Sequence, residues 1–170
     1  MWCCCYLPRT RRRGHQITSG LPELPNDSLR ESTQVVGTIP VWGERILLCK
    51  RAIEPRHGKW TLPAGFMELN ETAAQGAARE TVEEAGAEFE MGDFFSLVSV
   101  PRVGQVHLFF RATLLSDVFN PGCETLEARL FTEAEIPWDE LAFRTVAETL
   151  RHYLADRRAG HYTTHVFDIQ

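Results

Sequence analysis

Gly65-Phe66-Met67-Glu68-Leu69-Asn70-Glu71-Thr72-Ala73-Ala74-Gln75-Gly76-Ala77-Ala78-Arg79-Glu80-Thr81-Val82-Glu83-Glu84-Ala85-Gly86-Ala87 decides the reading of this chain. The segment Thr72–Ala85 is alanine-rich and predicts a helix. Thr72, with Gln75 three residues on, supplies a capping box at its start. Gly86 supplies a C-cap at its end. At about 100° per residue, Glu80, Glu83 and Glu84 share one face of that helix, and Gly76 lies on the same face one turn earlier. Ala74, Ala78, Val82 and Ala85 fall on the opposite side and are expected to pack against a sheet.

Three carboxylates on one face repel each other. Such a cluster is stable when it is solvated or when a cation neutralises it. Hard oxygen ligands at that density suit Mg²⁺ or Mn²⁺. Arg79 is placed to pair with Glu83 at i,i+4. Gly76 costs about 1 kcal/mol against alanine in a helix interior. Either a close approach by a loop or substrate, or simple packing, accounts for it. A solvated acidic face alone explains neither the upstream glycine turn nor the capping box.

Working outward, Gln34–Trp42 and Glu44–Lys50 flank a turn at Gly43 and read as an antiparallel hairpin. Lys50–Lys59 is polar and loop-like, and Trp60–Pro63 is a short apolar segment leading to Gly65. Phe94–Pro101, Gln105–Leu115 and Leu126–Thr132 read as strands. Phe143–Asp156 reads as a second helix, with Val146, Leu150, Tyr153 and Leu154 at helical spacing. This order predicts an α/β (α+β) fold of sandwich type with a mixed central sheet.

The 170 residues suit one domain with a core of its own. Residues 1–32 differ from the rest. The first 22 hold four arginines and no acid, which leaves 14 basic against 23 acidic residues in the remainder. We expect 1–32 to be a disordered basic leader and 33–170 to be the folded domain. An organelle transit peptide is the alternative reading of that composition, so the expected location is cytoplasmic or, with a transit peptide, an organelle. An RNA-binding arm is a weaker reading, because the arginines lack interleaved aromatics. The net charge of −5 argues against a nucleic-acid partner, and no apolar run is long enough to span a membrane. Cys3, Cys4 and Cys5 are adjacent and do not form the spaced pairs of a zinc ribbon, so no zinc is expected. Cys49 lies in an apolar run and reads as a buried thiol.

The quoted stretch resembles the Nudix box. In that signature a glycine is followed after five residues by glutamate. Seven residues later come Arg-Glu, an aliphatic residue, any residue, Glu-Glu, any residue, glycine and an aliphatic residue. Every charged and glycine position is present, while Thr81 and Ala87 stand at the two aliphatic positions. The likeness extends to Val36–Pro40, Leu47–Arg51, Trp60–Phe66 and Glu124–Phe131. These segments resemble the group of NADH pyrophosphatases and FAD and ADP-ribose hydrolases, without the zinc ribbon that many of its members carry.

The resemblance implies a Nudix-type α/β/α sandwich and a metal-dependent pyrophosphohydrolase acting on a small nucleotide. The substrates implied are ADP-ribose, FAD or NADH-type dinucleotides, cleaved to AMP and a second phosphate-terminated product. Alternatives are a house-cleaning nucleoside triphosphate pyrophosphohydrolase and a non-catalytic Nudix ligand sensor. The motif of serine, glutamine, proline, tryptophan and phenylalanine that marks typical NADH pyrophosphatases is replaced by Ser99–Gln105, which disfavours NADH itself.

The resemblance further implies that Glu80, Glu83, Glu84 and Glu124 hold Mg²⁺, with Mn²⁺ able to substitute. Glu127 competes with Glu124 for the place after the box. Glu84, Glu124 and Glu83 are the catalytic candidates, with Glu84 or Glu124 as base. Gly65, Glu71, Arg79 and Gly86 orient the loop and helix. A homodimer fits the habit of relatives. Lys50 and Arg51 either meet substrate phosphates or decorate a strand end. Trp60 and Phe66 are read as core residues, with base stacking as the alternative, and His107 as a hydrogen-bonded sheet histidine.

Overall fold

A computed structural model describes residues 32–170, so the expectations for the leader fall outside the described residues. Eight strands and two α-helices are described: β1 Thr33–Trp42, β2 Arg45–Arg51, β3 Trp60–Thr61, β4 Ala64–Phe66, α1 Ala73–Ala85, β5 Phe89–Val100, β6 Gln105–Leu114, β7 Thr125–Phe131, α2 Arg144–Ala159 and β8 His165–Asp168. The sheet runs β3-β2-β1-β6-β5-β8, with β4 on β1 and β7 on β2. β1 is parallel to β6 and β5 to β8, whereas the other pairings are antiparallel, so the sheet is mixed.

The first hairpin is only two pairs long, Val41↔Ile46 and Trp42↔Arg45. Beyond it the strands part: β1 takes β6 and β4 as neighbours, and β2 takes β7 and β3. The alternation of β2 shows where the layers lie. Ile46 and Leu48 join the cluster that contains Val146, Leu150, Tyr153 and Leu154 of α2. Leu47 and Cys49 join the cluster that contains Ala85 of α1. The two helices therefore cover opposite faces, which gives the α/β/α sandwich.

α1 starts and ends as its sequence dictates. Thr72 Oγ1 accepts from the Gln75 N–H at 3.2 Å, and Gln75 Oε1 accepts from the Thr72 N–H at 2.8 Å. Gly86 caps the far end with φ 58°, a left-handed conformation that suits glycine.

The sheet-facing stripe of α1 differs from the expected one. Ala77, Thr81, Glu84 and Ala85 are buried, whereas Val82 is 54% exposed. These buried positions follow an i, i+4, i+7, i+8 pattern. Thr81 anchors the stripe to β1, its Oγ1 lying 2.7 Å from Thr38 Oγ1. This rotation moves Glu84 from the solvent face to the boundary between helix and sheet.

Two further differences have physical causes. β5 begins at Phe89 rather than Phe94, and its ladder to β6 shifts register twice between Met91 and Ser96, which breaks the alternation that marks a strand. β8 carries little apolar pattern and is held by pairing with β5 and by the 2.9 Å contact between His165 Nε2 and Asp156 Oδ2.

Candidate active site

The acidic residues of α1 are held by the chain on either side of it. Ahead of the helix, Gly65 in β4 pairs with Val36, and a side chain at Gly65 would collide with the Glu80 carboxylate. Next door, Ala64 donates its backbone N–H to Glu84 Oε2 at 3.1 Å. Behind the helix, the Asn120 N–H donates to the Ala85 carbonyl at 3.0 Å. Any Cβ at Gly122 would meet the Glu83 carbonyl oxygen. Glycine at 122 thus permits the loop to lie directly on the end of the helix, and Glu124 follows two residues later.

Arg79 organises the other side of the cluster. It binds Glu71 through Nε at 3.1 Å and Nη2 at 2.9 Å, Glu80 at 2.6 Å and Glu83 at 3.2 Å. Nη2 also donates to the Phe66 carbonyl at 3.2 Å. Glu71 Oε1 accepts from the Glu68 N–H at 2.6 Å. The Arg79 hydrogen bond, followed by that N–H, holds the Glu71 carboxyl at about 2, well below its ordinary range. Gly76 is explained by the same loop, because a Cβ there would press on Glu71 Oε1 and on Val36.

Glu84 is in the opposite condition. It is 8% exposed. Burial first, with the charges of Glu80 and Glu124 adding to it, raises its carboxyl to about 8. The Ala64 N–H and Arg51 oppose that rise. Burial also raises Glu80, against the pull of Arg79, with Glu83 and Glu124 adding to the rise. Glu124 therefore acts electrostatically on both acids. Glu127 lies across the ladder from Lys50. Its neighbours Ala128 and Leu130 pack on the α1-side cluster, so alternation turns Glu127 to the other face.

A hard, multiply charged cation suits this set of donors, because the carboxylates are crowded and disfavour one another's ionisation. Among the described residues, no three His, Cys, Asp or Glu side chains stand close enough to hold a metal ion as they are. Arg79 accounts for this by drawing Glu80 and Glu83 to itself.

Other expected residues fall in different places. Trp60 is buried in the α2-side core, with Lys50 Nζ 5.5 Å from its ring centroid. Phe66 is 58% exposed, against the core reading, because β4 runs past the covered part of the sheet: Ala64 packs on the core and Phe66 does not. His107 is buried with Nε2 3.1 Å from Gln105 Oε1, and burial lowers it to about 4. Cys49 is buried, and burial raises its thiol, with the charge of Glu84 adding to the rise. Sequence reading left open the placement of Arg51, whose guanidinium lies 5.2 Å from the Phe143 ring centroid. These residues are 92 positions apart, so no local pattern announces the contact.

The NUDIX domain family matches residues 32–156, and the chain belongs to that family, the Nudix hydrolases. Members of the family generally use divalent metal ions such as Mg²⁺ and act on small nucleotide substrates. The chain is similar to a NUDIX hydrolase from Nitrosomonas europaea of known crystal structure, with 51% identity and a TM-score of 0.80, covering 82% of this chain and 80% of that one. It is 31% identical to a MutT-like protein of Streptomyces ambofaciens over 62% of this chain and 66% of that protein. It is also 31% identical to an ADP-ribose pyrophosphatase of Methanocaldococcus jannaschii over 58% of this chain and 60% of that protein. The matched segments thus span less than two thirds of these two relatives' own lengths.

Proposed function

We propose that this chain hydrolyses the pyrophosphate linkage of nucleoside diphosphate derivatives. ADP-ribose and FAD are the favoured substrates, NADH-type dinucleotides come behind them, and the products are AMP and a second phosphate-terminated fragment. The observation that carries this reading is the buried Glu84, crowded by Glu80 and Glu124 and tied to the loop ahead of α1. The likeness to an ADP-ribose pyrophosphatase supports the substrate class.

We assign Mg²⁺, with Mn²⁺ able to substitute, to Glu80, Glu83, Glu84 and Glu124. When bound, such ions neutralise the diphosphate, polarise a phosphoryl oxygen and make a bound water more acidic. Glu84 and Glu124 are the two candidates to take the proton of the attacking water. Arg79 and Glu71 hold the loop and helix in register. Glu84 keeps one oxygen on the Ala64 N–H, which fixes its orientation and leaves the other oxygen for the site. No described helix is long and apolar enough to cross a membrane.

The test is a panel of ADP-ribose, FAD, NADH, diadenosine polyphosphates and nucleoside triphosphates with Mg²⁺ or Mn²⁺, with products separated by chromatography. AMP from ADP-ribose or FAD, abolished in Glu84→Gln, is the expected result. Pyrophosphate plus a monophosphate from a triphosphate would instead establish the house-cleaning reading. A folded protein that turns over nothing would overturn both.

A further inference from the structure

Arg51 stands at the end of β2, where the ladder to β7 shifts register between Lys50 and Arg51. Its partner across the ladder is Thr125, the residue after Glu124. The backbone here is pinned three times. The Arg51 N–H donates to the Lys59 carbonyl at 2.9 Å, the Gly58 N–H to the Arg51 carbonyl at 2.8 Å, and the Ala52 N–H to the Glu124 carbonyl at 2.8 Å. Arg51 and Glu124 are therefore fixed to each other through the main chain.

The side chain is also held. Nε donates to the Pro55 carbonyl at 2.9 Å, and the guanidinium lies 5.2 Å from the Phe143 ring centroid. Phe143 is the residue directly ahead of α2. A guanidinium bonded at Nε and packed on an aromatic ring keeps both Nη groups available. Among the described residues Arg51 forms no ion pair, although its charge acts on Glu84 of the acidic cluster.

Arg79 makes the contrast. Its donors are committed to Glu71, Glu80, Glu83 and the Phe66 carbonyl. One arginine of the site is consumed by the fold. The other is oriented, and among the described residues its Nη groups make no hydrogen bond, which leaves them in the fork geometry that matches two phosphoryl oxygens.

We propose that Arg51, oriented by Phe143, binds the diphosphate of the substrate, with Phe143 as its positioning residue. The proposal rests on the diphosphate reading of the site. It adds a substrate contact from β2 and makes the start of α2 a support of the active centre.

The test measures two quantities for the full chain. One is calorimetric affinity for α,β-methylene-ADP, a diphosphate that resists hydrolysis, with adenosine as the phosphate-free control. The other is KM and kcat on ADP-ribose. Arg51→Gln is expected to weaken the probe and raise KM by about tenfold, with a smaller change in kcat. Arg51→Lys recovers only part of the loss, because an ammonium lacks the planar fork. Phe143→Leu is expected to weaken the probe by roughly threefold and Phe143→Tyr to restore it.

Unchanged probe affinity in Arg51→Gln overturns the proposal, as does an equal loss of adenosine binding. Should Arg51→Gln not fold, Arg51→Lys decides: a loss of probe affinity supports the assignment and wild-type affinity overturns it. A wild-type protein that does not cleave ADP-ribose, yet binds the probe through Arg51, refutes the substrate reading alone. A wild type that does not bind the probe refutes Arg51 as well.

Discussion

The Ala64 N–H donates to Glu84 Oε2 at 3.1 Å, joining the strand ahead of α1 to an acid 20 residues later near the end of that helix. The bond is neutral toward the identity of the acceptor: a glutamine carbonyl oxygen serves it equally well. The charge on Glu84 is not neutral, since burial and its acidic neighbours oppose ionisation.

Glu84→Gln should therefore separate stability from activity. Hydrolysis is expected to fall by about a hundredfold or more, as for loss of a general base or a ligand. Melting without metal should not fall. Glu84 is raised from 4.5 to about 8, so between these values the folded chain keeps a proton that the unfolded chain releases, and stability falls as pH rises through that range. The variant should consequently melt level with the wild type near pH 4, above it at pH 6 and further above it at pH 9. A variant that melts lower at pH 6 and pH 9 would contradict this account.

Gly122→Ala tests the loop that carries Glu124. The added methyl meets the Glu83 carbonyl oxygen, so loop or helix end must shift. Overpacking of this kind costs about 1–3 kcal/mol. Denaturant melts should show that loss, and metal titration should show weakened binding, because Glu124 moves with the loop. Wild-type stability would mean that the contact relaxes freely.

α1, its capping box and its terminal glycine were legible because they are local: each bond joins residues within four positions. The strands β2, β6 and β7 were legible from their apolar residues, a continuous run Ile46–Cys49 in β2 and alternation in β7. Beyond the β1–β2 hairpin, strand partners were not, because nothing within β1 specifies that it runs parallel to β6 rather than along β2 for its whole length. β8 was silent for the same reason, since β5 and Asp156 hold it in place. At the site, the acids and Arg79 were visible as a spaced motif. The helix-wheel offset that buries Glu84 and exposes Val82 was not, because it depends on Thr81 meeting Thr38 across 43 residues.

That Thr38–Thr81 contact gives a double-mutant test. Thr81 Oγ1 also donates to the Ala77 carbonyl at 2.7 Å, so the Thr38 hydroxyl is the donor between the two. Thr81→Val leaves the fully buried Thr38 hydroxyl unpaired and should cost about 1–3 kcal/mol. Adding Thr38→Val removes the orphan and should recover much of the loss. Additive losses in a denaturant cycle would contradict the pairing.

His107 predicts an acid-side loss of stability. Its folded value near 4 lies below the ordinary 6.5, so the unfolded chain binds more protons between them. The contribution is complete above about pH 6.5 and is lost as pH falls toward 4, by up to roughly 3 kcal/mol. His107→Gln should flatten that part of the stability profile. A profile identical to the wild type between pH 4 and 6.5 would show that the histidine does not titrate there.

Glu124 and Glu127 are three residues apart, and metal binding distinguishes them. Glu124 acts on Glu80 and Glu84 from the loop that Gly122 seats on α1. Glu127 faces away from α1, opposite Lys50, where its charge serves the strand surface. Glu124→Gln should weaken Mn²⁺ binding, followed by calorimetry, by about tenfold, whereas Glu127→Gln should stay within about twofold of the wild type. The reverse order would move the fourth ligand from the loop to the strand. It would also require β7 to turn over, which Ala128 and Leu130, packed with Leu47 and Cys49 beneath α1, oppose.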